Sequence, residues 1–313
     1  MHPALSVILF TVMSGAGYGL FMLVALLHVF GGYPDPGTSE LVVQLGLALA
    51  LITTGLVSST QHLANPKNAW RAVMRVRTSW LSREAVLAIG FYPFALLYGL
   101  SILRGGALEP GGFTMAMGLI SVALAGLTVF CTGMIYASLK TIRQWNTALT
   151  PANYLMLGLA LGAVLLVAVH AVFQGRSEPL VAMALSLLVL AALLKWIYYV
   201  WIREPSGPTI NTATGFTRGT VRMMDPGHTA GTFLTREFGY DPGAQVIGQV
   251  RLGVYGLGFV LPILLLSWIL LGASVFWLVL AVPSALAGVG LERWLFFAEA
   301  RHAVMLYHGR QHT

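Results

Sequence analysis

The chain has 313 residues, of which 57% are hydrophobic and only 9% are charged, and its formal net charge is +7. A soluble domain carries roughly 25% charged residues, so this composition excludes an ordinary soluble enzyme and indicates an integral membrane protein. The positive charge does not indicate nucleic-acid binding, because basic residues of membrane proteins collect in cytoplasmic loops. The first apolar run begins at Pro3 without a basic segment before it, so we predict no cleavable signal peptide.

Cys131 is the only cysteine. The count excludes a disulfide within the chain, and it excludes an iron–sulfur cluster held by this chain alone, which typically needs four thiolates. We interpret Cys131 as a small apolar residue within a membrane span.

Eight apolar runs are each long enough to cross a membrane as a helix, which takes roughly 20 residues. Breaks rich in Gly and Pro separate several of them, as at residues 31–37, 104–112 and 174–179. The runs cover about residues 4–30, 40–61, 85–103, 113–137, 152–173, 180–202, 251–271 and 274–297. We therefore predict an all-α integral membrane protein in which residues 1–313 form one domain, a bundle of about eight transmembrane helices.

The distribution of basic residues predicts the orientation of the bundle. The even-numbered connectors and the C-terminal tail hold 14 of the 18 Lys and Arg residues, whereas the odd-numbered connectors hold only Arg104 and Arg176. Cytoplasmic loops of membrane proteins carry an excess of Lys and Arg. Both termini and all even-numbered connectors are therefore predicted to be cytoplasmic.

The longest connector, residues 203–250, lies between the sixth and seventh spans and is rich in Gly, Pro and Thr. Its composition indicates ordered irregular structure rather than a packed domain. A protein with long connectors at one end and short ones at the other usually binds a partner at the elaborate end, although solvated loops are the simpler interpretation. The residues that we predict to contact a partner here are Arg218, Arg222, His228 and Arg236.

The second connector, within "SSTQHLANPKNAWRAVMRVRTSWLSRE" at residues 58–84, concentrates five basic residues in a short segment. After Pro66 its apolar residues fall on one helical stripe, namely Ala69, Val73, Val76 and Trp80. Such an amphipathic segment suits the membrane interface. We expect Arg71 and Arg77 to face lipid phosphates or a partner protein; ordinary positive-inside charge is the alternative.

His62 and Glu84 differ from the other polar residues of this segment, because they end the second span and begin the third. Ionisable groups at this depth are costly and often functional. A neutral histidine donates one hydrogen bond and exchanges a proton near pH 7. The two residues together are therefore candidates for proton-coupled chemistry.

Five further ionisable residues of the spans could also carry chemistry. His28 and His170 are toward the outer ends of their spans, which is weak support for a heme with paired axial histidines. We expect Lys195 to extend toward the cytoplasmic surface. Glu292 and Arg293 most simply pair with each other or with neighbours.

Sequence motifs for other chemistry are absent: there is no P-loop, no dinucleotide-binding fingerprint after a strand, and no metal-ligand or hydrolase pattern. Gly15 and Gly19, four residues apart in the first span, instead indicate close packing of two helices.

The stretch from His62 to Pro66, with the basic segment after it and Ser82-Arg-Glu84 at the start of the third span, resembles the membrane anchor subunits of dimethyl sulfoxide reductase-type molybdoenzymes (DmsC/NrfD-like). The eight spans agree with this family over the whole length. The sixth connector is similar to a loop in the branch that serves cytoplasm-facing, membrane-bound sulfite dehydrogenase. The matching segments are Ala213-Thr-Gly, Gly219-Thr-Val-Arg222, Pro226-Gly-His228-Thr and Arg236-Glu-Phe-Gly239.

The resemblance implies a three-part complex in the bacterial inner membrane. A molybdopterin subunit acts on the substrate, a four-cluster iron–sulfur subunit transfers electrons, and the anchor exchanges them with ubiquinone or menaquinone. His62 and Glu84 match residues that this family associates with its quinone pocket. With Arg75, which also matches the pattern, and Trp80, they form the predicted quinone-binding set. The family is not generally a heme binder.

Four alternatives remain beside quinone reduction during sulfite oxidation. A dimethyl sulfoxide-type reductase would draw electrons from quinol through the same pocket. A purely structural anchor would bind no quinone, and Arg75 would then serve docking or orientation. A secondary transporter would usually show inverted repeats and broken helices at mid-membrane, and no convincing internal repeat is present. A heme-binding subunit is the least supported.

Overall fold

A computed structural model describes residues 1–61, 66–107, 109–203, 207–216, 218–225, 227 and 230–313. Within these residues eight helices are long and apolar enough to cross a membrane. We number them α1 Leu5–Val29, α2 Thr38–Thr60, α3 Trp80–Gly106, α4 Gly112–Ala137, α5 Leu149–Gln174, α6 Glu178–Arg203, α7 Ala244–Leu270 and α8 Val275–Ala298. The described part of the chain contains no β-strand, only two isolated bridges. The predicted all-α bundle of eight spans is confirmed.

Two helices, the third and the seventh, begin well before their apolar runs. Helix α3 starts at Trp80, because Ser79 caps it by accepting a hydrogen bond from the Ser82 backbone N–H at 3.4 Å. Helix α7 starts at Ala244, which precedes Arg251, the residue at which the predicted span began. Hydropathy detects only the part of a helix that lies in hydrocarbon, whereas both helices continue beyond it.

Close approach of α1 and α5 forms the centre of the bundle. The two helices meet where Gly15 and Gly19 face Gly158 and Gly162. A methyl group on Gly19 would overlap the carbonyl of Gly158, and one on Gly162 would overlap the backbone at Gly19. The predicted role of Gly15 and Gly19 in helix packing is confirmed. Cys131 is buried and unpaired in α4, as expected of a small apolar residue.

The chain ends and the fourth and sixth connectors assemble at one end of the bundle, which we call the connector face. The Met1 amino group donates to the Ala300 carbonyl at 3.1 Å. The His2 backbone N–H donates to the Glu237 carbonyl at 3.2 Å. Isolated bridges join the C-terminal tail to the fourth and sixth connectors, at Ile142 with His302 and at Thr209 with His312. The short helices Ile210–Thr214 and Phe233–Phe238 lie in the sixth connector. We call the opposite end of the bundle the far face.

Candidate functional site

Glu84 lies one helical turn into α3, and only 5% of its surface is exposed. Its carboxylate accepts a hydrogen bond from the hydroxyl of Thr132 in α4. Helix α3 places Glu84 on the face that packs against α4. The acid therefore lies just inside the third span and points into the bundle. His62, its predicted companion, lies outside the described residues.

The hydroxyl of Thr132 is placed to match either protonation state of Glu84. It also lies 3.0 Å from the Thr128 carbonyl. When Glu84 is ionised, the Thr132 hydroxyl donates to the carboxylate. When Glu84 is protonated, its own O–H can donate to the Thr132 oxygen, whose proton then turns to the Thr128 carbonyl. The pair Glu84–Thr132 can therefore gain or lose a proton without losing its hydrogen bonds.

Trp80 lies one turn before Glu84 on α3 and is half-buried. Its ring packs edge-on against Phe130 of α4, with centroids 6.1 Å apart. The guanidinium of Arg83 lies 4.2 Å from the Trp80 ring centroid and donates to the carbonyls of Val76 and Arg77, both at 2.9 Å. Arg83 thus attaches the end of the second connector to the start of α3.

An open groove of ≈ 550 Å³ lies between the end of α4 and the start of α5. Its lining is mostly apolar and begins at Phe130, the ring that contacts Trp80. Its residues are Phe130, Met134, Ala137, Asn146, Thr147, Ala148, Pro151, Ala152 and Leu155. Glu84 is not among these residues. The groove has the size and lining of a small-molecule site. Phe130 connects it to Trp80, which lies one helical turn before Glu84 on α3.

The second connector is helical, as predicted, but it is a 3₁₀-helix over Pro66–Arg75. Its large apolar side chains include Trp70 and Val73 within the helix and Val76 directly after it. These three side chains are exposed by 58%, 42% and 38%. An exposed apolar row beside exposed arginines is the pattern of a segment at a membrane or partner surface.

Arg71, Arg75 and Arg77 are all exposed. Arg75 was predicted to join Glu84 at a quinone, but among the described residues no hydrogen bond or ion pair joins the two. The guanidinium of Arg71 lies 5.6 Å from the ring centroid of Trp70. Because Arg71, Arg75 and Arg77 are exposed, they are accessible to lipid phosphates or to a partner protein.

The predicted docking residues of the sixth connector, Arg218, Arg222 and Arg236, are exposed. His228 lies outside the described residues. Large apolar side chains are exposed beside these arginines, namely Phe216 by 69%, Met224 by 99% and Phe233 by 74%. Apolar side chains mixed with Arg on one exposed surface are typical of a protein–protein interface.

A buried cluster of charges lies deeper in the bundle. Lys195 of α6, only 1% exposed, forms an ion pair with Glu292 of α8. Arg293 pairs with the same carboxylate, Nε to Oε2 at 2.7 Å. The expectation that Lys195 extends toward the membrane surface is wrong. Its ammonium group is paired with the Glu292 carboxylate inside the bundle and therefore needs no contact with water. The expected pairing of Glu292 with Arg293 is confirmed.

A small cavity of ≈ 20 Å³ lies between this cluster and Thr132, large enough for one water molecule. Its polar lining residues are Thr11, Ser14, Thr132, Tyr154 and Arg293. The Arg293 guanidinium lies 3.9 Å from the Tyr154 ring centroid, and its Nη1 atom has no hydrogen-bond partner among the described residues. Sequence reasoning missed this cavity, because its lining comes from four helices far apart in the chain.

A larger pocket of ≈ 400 Å³ opens on the connector face. Five arginines line it, namely Arg143, Arg203, Arg251, Arg301 and Arg310. Two acids accompany them: Glu299 pairs with Arg251, and Asp241 lies 3.6 Å from Arg310. Burial raises the pKa of Glu299, although Arg251 beside it acts in the opposite direction.

Polar residues at the far face form a separate cluster. Glu40 is 1% exposed and accepts hydrogen bonds from Tyr33 at 2.6 Å and Gln174 at 2.7 Å. His170 Nδ1 lies 2.7 Å from the same carboxylate.

Both ring nitrogens of His28 contact protein oxygens, those of Tyr98 at 2.7 Å and Ala107 at 3.1 Å. The two histidines that a heme would need are thus held by other residues. No group of three or more metal-ligating side chains occurs among the described residues.

Eight apolar helices, with the fourth and sixth connectors gathered at one end, define a multi-pass integral membrane protein. Residues 1–298 match the profile of the DMSO reductase anchor subunit family, DmsC. The chain therefore belongs to this family, whose members are membrane anchors of an oxidoreductase. It is also 34% identical to a subunit of the sulfite dehydrogenase of Allochromatium vinosum, over 98% of this chain and 99% of that protein.

Proposed function

We propose that this chain is the quinone-binding membrane anchor of a molybdopterin/iron–sulfur oxidoreductase. In this proposal it passes electrons from an iron–sulfur subunit to membrane quinone during sulfite oxidation in the cytoplasm. The observation that carries the proposal is Glu84, a buried acid one helical turn after Trp80, whose ring contacts Phe130 at the edge of an open apolar groove. Family membership supports the anchor role, and the similarity to a sulfite dehydrogenase subunit supports the substrate of the complex.

Reduction of a quinone takes two electrons and two protons, Q + 2e⁻ + 2H⁺ → QH₂, so the pocket needs a proton donor close to the quinone oxygens. Glu84 supplies a proton and regains it, and Thr132 keeps the acid hydrogen-bonded in both states. His62 donates the second hydrogen bond in this proposal, on the strength of the family resemblance. Trp80 and Phe130 provide flat apolar surface for the quinone ring.

Electrons reach the quinone from partner subunits. The chain has a single cysteine, so the iron–sulfur clusters belong to the partner. The exposed arginines and apolar side chains of the second and sixth connectors form a surface suited to an acidic, partly apolar partner. We propose that the four-cluster iron–sulfur subunit binds there and that the molybdopterin subunit binds to it in turn.

The connector face is cytoplasmic in this proposal. Its support is the charge distribution, in which the even-numbered connectors and the tail hold 14 basic residues against two in the odd-numbered connectors. The catalytic subunits then work in the cytoplasm, and the membrane is the inner membrane of a bacterium.

A second candidate is an anchor that oxidises quinol for a reductase of dimethyl sulfoxide or a similar oxide. The family to which the chain belongs favours it. The same groove and the same acid would serve, with Glu84 accepting protons instead of donating them. The transporter alternative is set aside, because the family is one of enzyme anchors.

Membranes from cells with and without the gene separate these candidates. Each preparation receives sulfite, and quinone reduction is followed optically; parallel samples receive dimethyl sulfoxide and a reduced quinol. We expect sulfite-dependent quinone reduction that disappears in the deletion strain. An unchanged rate in the deletion strain would refute the sulfite assignment, and gene-dependent quinol oxidation by dimethyl sulfoxide would establish the second candidate.

A further inference from the structure

We propose that the ≈ 400 Å³ pocket on the connector face, which we call the arginine pocket, binds the headgroup of an anionic phospholipid. The chemistry that it recognises is a phosphate ester, and we assign its source to the membrane rather than to a soluble phosphate. The inference does not depend on quinone chemistry, because neither Glu84 nor the apolar groove lines this pocket.

The lining of the arginine pocket carries more positive charge than its own acids balance. Its five guanidinium groups are accompanied by the carboxylates of Asp241 and Glu299. Counting a carboxylate at Thr313 as well leaves an excess of two positive charges. A concave site with such an excess attracts anions, and guanidinium groups bind phosphate oxygens through paired N–H donors.

Two of the five arginines are open to such a ligand. Arg203 and Arg301 are exposed, and neither guanidinium forms a hydrogen bond or an ion pair within the described part of the chain. Arg251 and Arg310, in contrast, already have acidic neighbours in the pocket. A phosphate group can therefore accept hydrogen bonds from Arg203 and Arg301 without breaking either of those pairs.

The depth of the arginine pocket matches the level of lipid headgroups. Arg203 directly follows the sixth apolar run, Arg251 begins the seventh, and Glu299 comes two residues after the eighth. The ends of apolar runs mark the boundary of the hydrocarbon core, and the lipid headgroups lie just outside it. A phospholipid can therefore place its phosphate in the pocket without leaving the bilayer.

A gap between α6 and α7 opens the pocket toward the lipid. Helix α7 packs on α6 along Gly256–Leu270, whereas its first part, Ala244–Tyr255, packs on α8. The two helices thus separate toward the connector face. The pocket lies in the resulting gap, with Ile202 of α6 and Ile247 of α7 in its lining. A headgroup can enter sideways between these helices.

Apolar surface beside the pocket suits the acyl chains of the same lipid. Val200 of α6 is 51% exposed and Leu252 of α7 is 75% exposed, next to the pocket residues of each helix. The ring centroid of Trp201 lies 5.0 Å from the guanidinium carbon of Arg143, and tryptophan is enriched at the level of lipid headgroups. Arginines combined with lipid-exposed apolar side chains fit a phospholipid better than an acidic protein segment, which has no acyl chain.

The test measures lipid binding by the full chain in mild detergent, after bound lipid has been removed. Native mass spectrometry compares cardiolipin and phosphatidylglycerol, which are anionic, with phosphatidylcholine, which carries no net charge. We expect the wild type to bind both anionic lipids at least about ten-fold more tightly.

The double variant Arg203→Gln with Arg301→Gln should bind anionic lipid about 30-fold more weakly, because two arginine–phosphate contacts are lost. Its unfolding temperature without lipid should equal that of the wild type, since both side chains are exposed. Unchanged lipid affinity in this variant would overturn the proposal. If the same variant then released an iron–sulfur subunit from membranes, the pocket would belong to that partner.

The double variant Arg218→Gln with Arg222→Gln is the matched control. It removes the same charge from the connector face, but neither residue lines the arginine pocket. Lipid affinity should stay at the wild-type value. An equal loss in both double variants would show attraction to the charged face as a whole and would overturn the pocket as a binding site.

Inorganic phosphate, added without lipid, distinguishes the two sources of the ligand. Cardiolipin should raise the unfolding temperature of the wild-type chain, because a ligand that binds only the folded state stabilises it. Inorganic phosphate should not, because it lacks the acyl chains that pack beside the pocket. An equal rise with phosphate that disappears in Arg203→Gln with Arg301→Gln would assign the pocket to a soluble phosphate and overturn the lipid.

Discussion

Among the described members of the predicted quinone-binding set, Glu84 is the buried one. Placing a carboxyl group among apolar helices is costly, and the structure limits the cost with one hydrogen bond from Thr132. A purely structural acid at this position would be expected to have a cationic partner, as Glu292 has. Among the described residues Glu84 has no ion-pair partner. An acid buried in this way is suited to binding and releasing protons.

Glu84→Gln tests this role with little change of shape. Glutamine retains a carbonyl oxygen that accepts from Thr132, so the complex should assemble and oxidise sulfite with dye as before. Quinone-linked kcat should fall about 100-fold or more, because the variant cannot transfer a proton. Turnover assays with quinone and with dye on the same preparation measure both effects. Equal quinone rates in variant and wild type would remove Glu84 from the site.

Glu40 at the far face shows the opposite case, a buried acid whose partners account for it. Tyr33, Gln174 and His170 all contact its carboxylate. Glu40→Ala should leave these groups unsatisfied and destabilise the bundle by at least about 1–3 kcal/mol. Thermal unfolding in detergent, followed by size-exclusion chromatography, measures the loss. Glu109→Ala at the exposed position of the same face is the control, and equal melting temperatures for the two variants would contradict the structural role.

At the scale of helices, the packing of α1 on α5 depends on residues without side chains. Gly19→Ala should push the two backbones apart, because a methyl group there overlaps the Gly158 carbonyl. We expect a destabilisation of about 1–3 kcal/mol, measured as a lower unfolding temperature of the detergent-solubilised chain. Gly90→Ala in α3 is the matched control, since the space beside Gly90 is open. It should be neutral or slightly stabilising.

The second connector shows where periodicity in a sequence stops being informative. Val73 and Val76 are three residues apart, a spacing that fits one face of an α-helix and one face of a 3₁₀-helix equally well. The segment Pro66–Arg75 forms a 3₁₀-helix, and over so few turns of an exposed segment the composition does not choose between the two helix types. The predicted helix is confirmed, whereas its type was not predictable.

At the scale of the whole molecule, spans and internal contacts differ in how far the sequence predicts them. Each span is a local run of apolar residues, so all eight were predicted from composition. The pair of Lys195 and Glu292 joins residues 97 positions apart, and nothing local to Lys195 indicates it. Glu292 and Arg293 are neighbours, so that pairing was predictable. Long-range polar contacts arise from helix packing, which a single sequence does not display.

The orientation of the molecule can be measured directly. Reporter fusions within residues 218–225 and after Thr313 should report cytoplasm, and fusions near Asp35 or Gly106 should report the other side of the membrane. The reason is the excess of Lys and Arg on the connector face. A signal from the far side at residues 218–225 would reverse the orientation and move the proposed quinone chemistry to the other surface.

Assembly of the complex should depend on charge at the connector face. Reversing Arg218, Arg222 and Arg236 together to Glu should release the iron–sulfur and catalytic subunits from the membrane, because an acidic partner would meet like charge. The anchor itself should still insert, since these three side chains are exposed and the change leaves every span intact. Immunoblots of membrane and soluble fractions measure the partition.

In the wild type, retention of both subunits should weaken as salt rises, because salt screens exposed charges. The matched control reverses Arg104 and Arg176 on the far face, and both soluble subunits should then stay bound. Full retention after reversal at the connector face would show that the partner docks elsewhere.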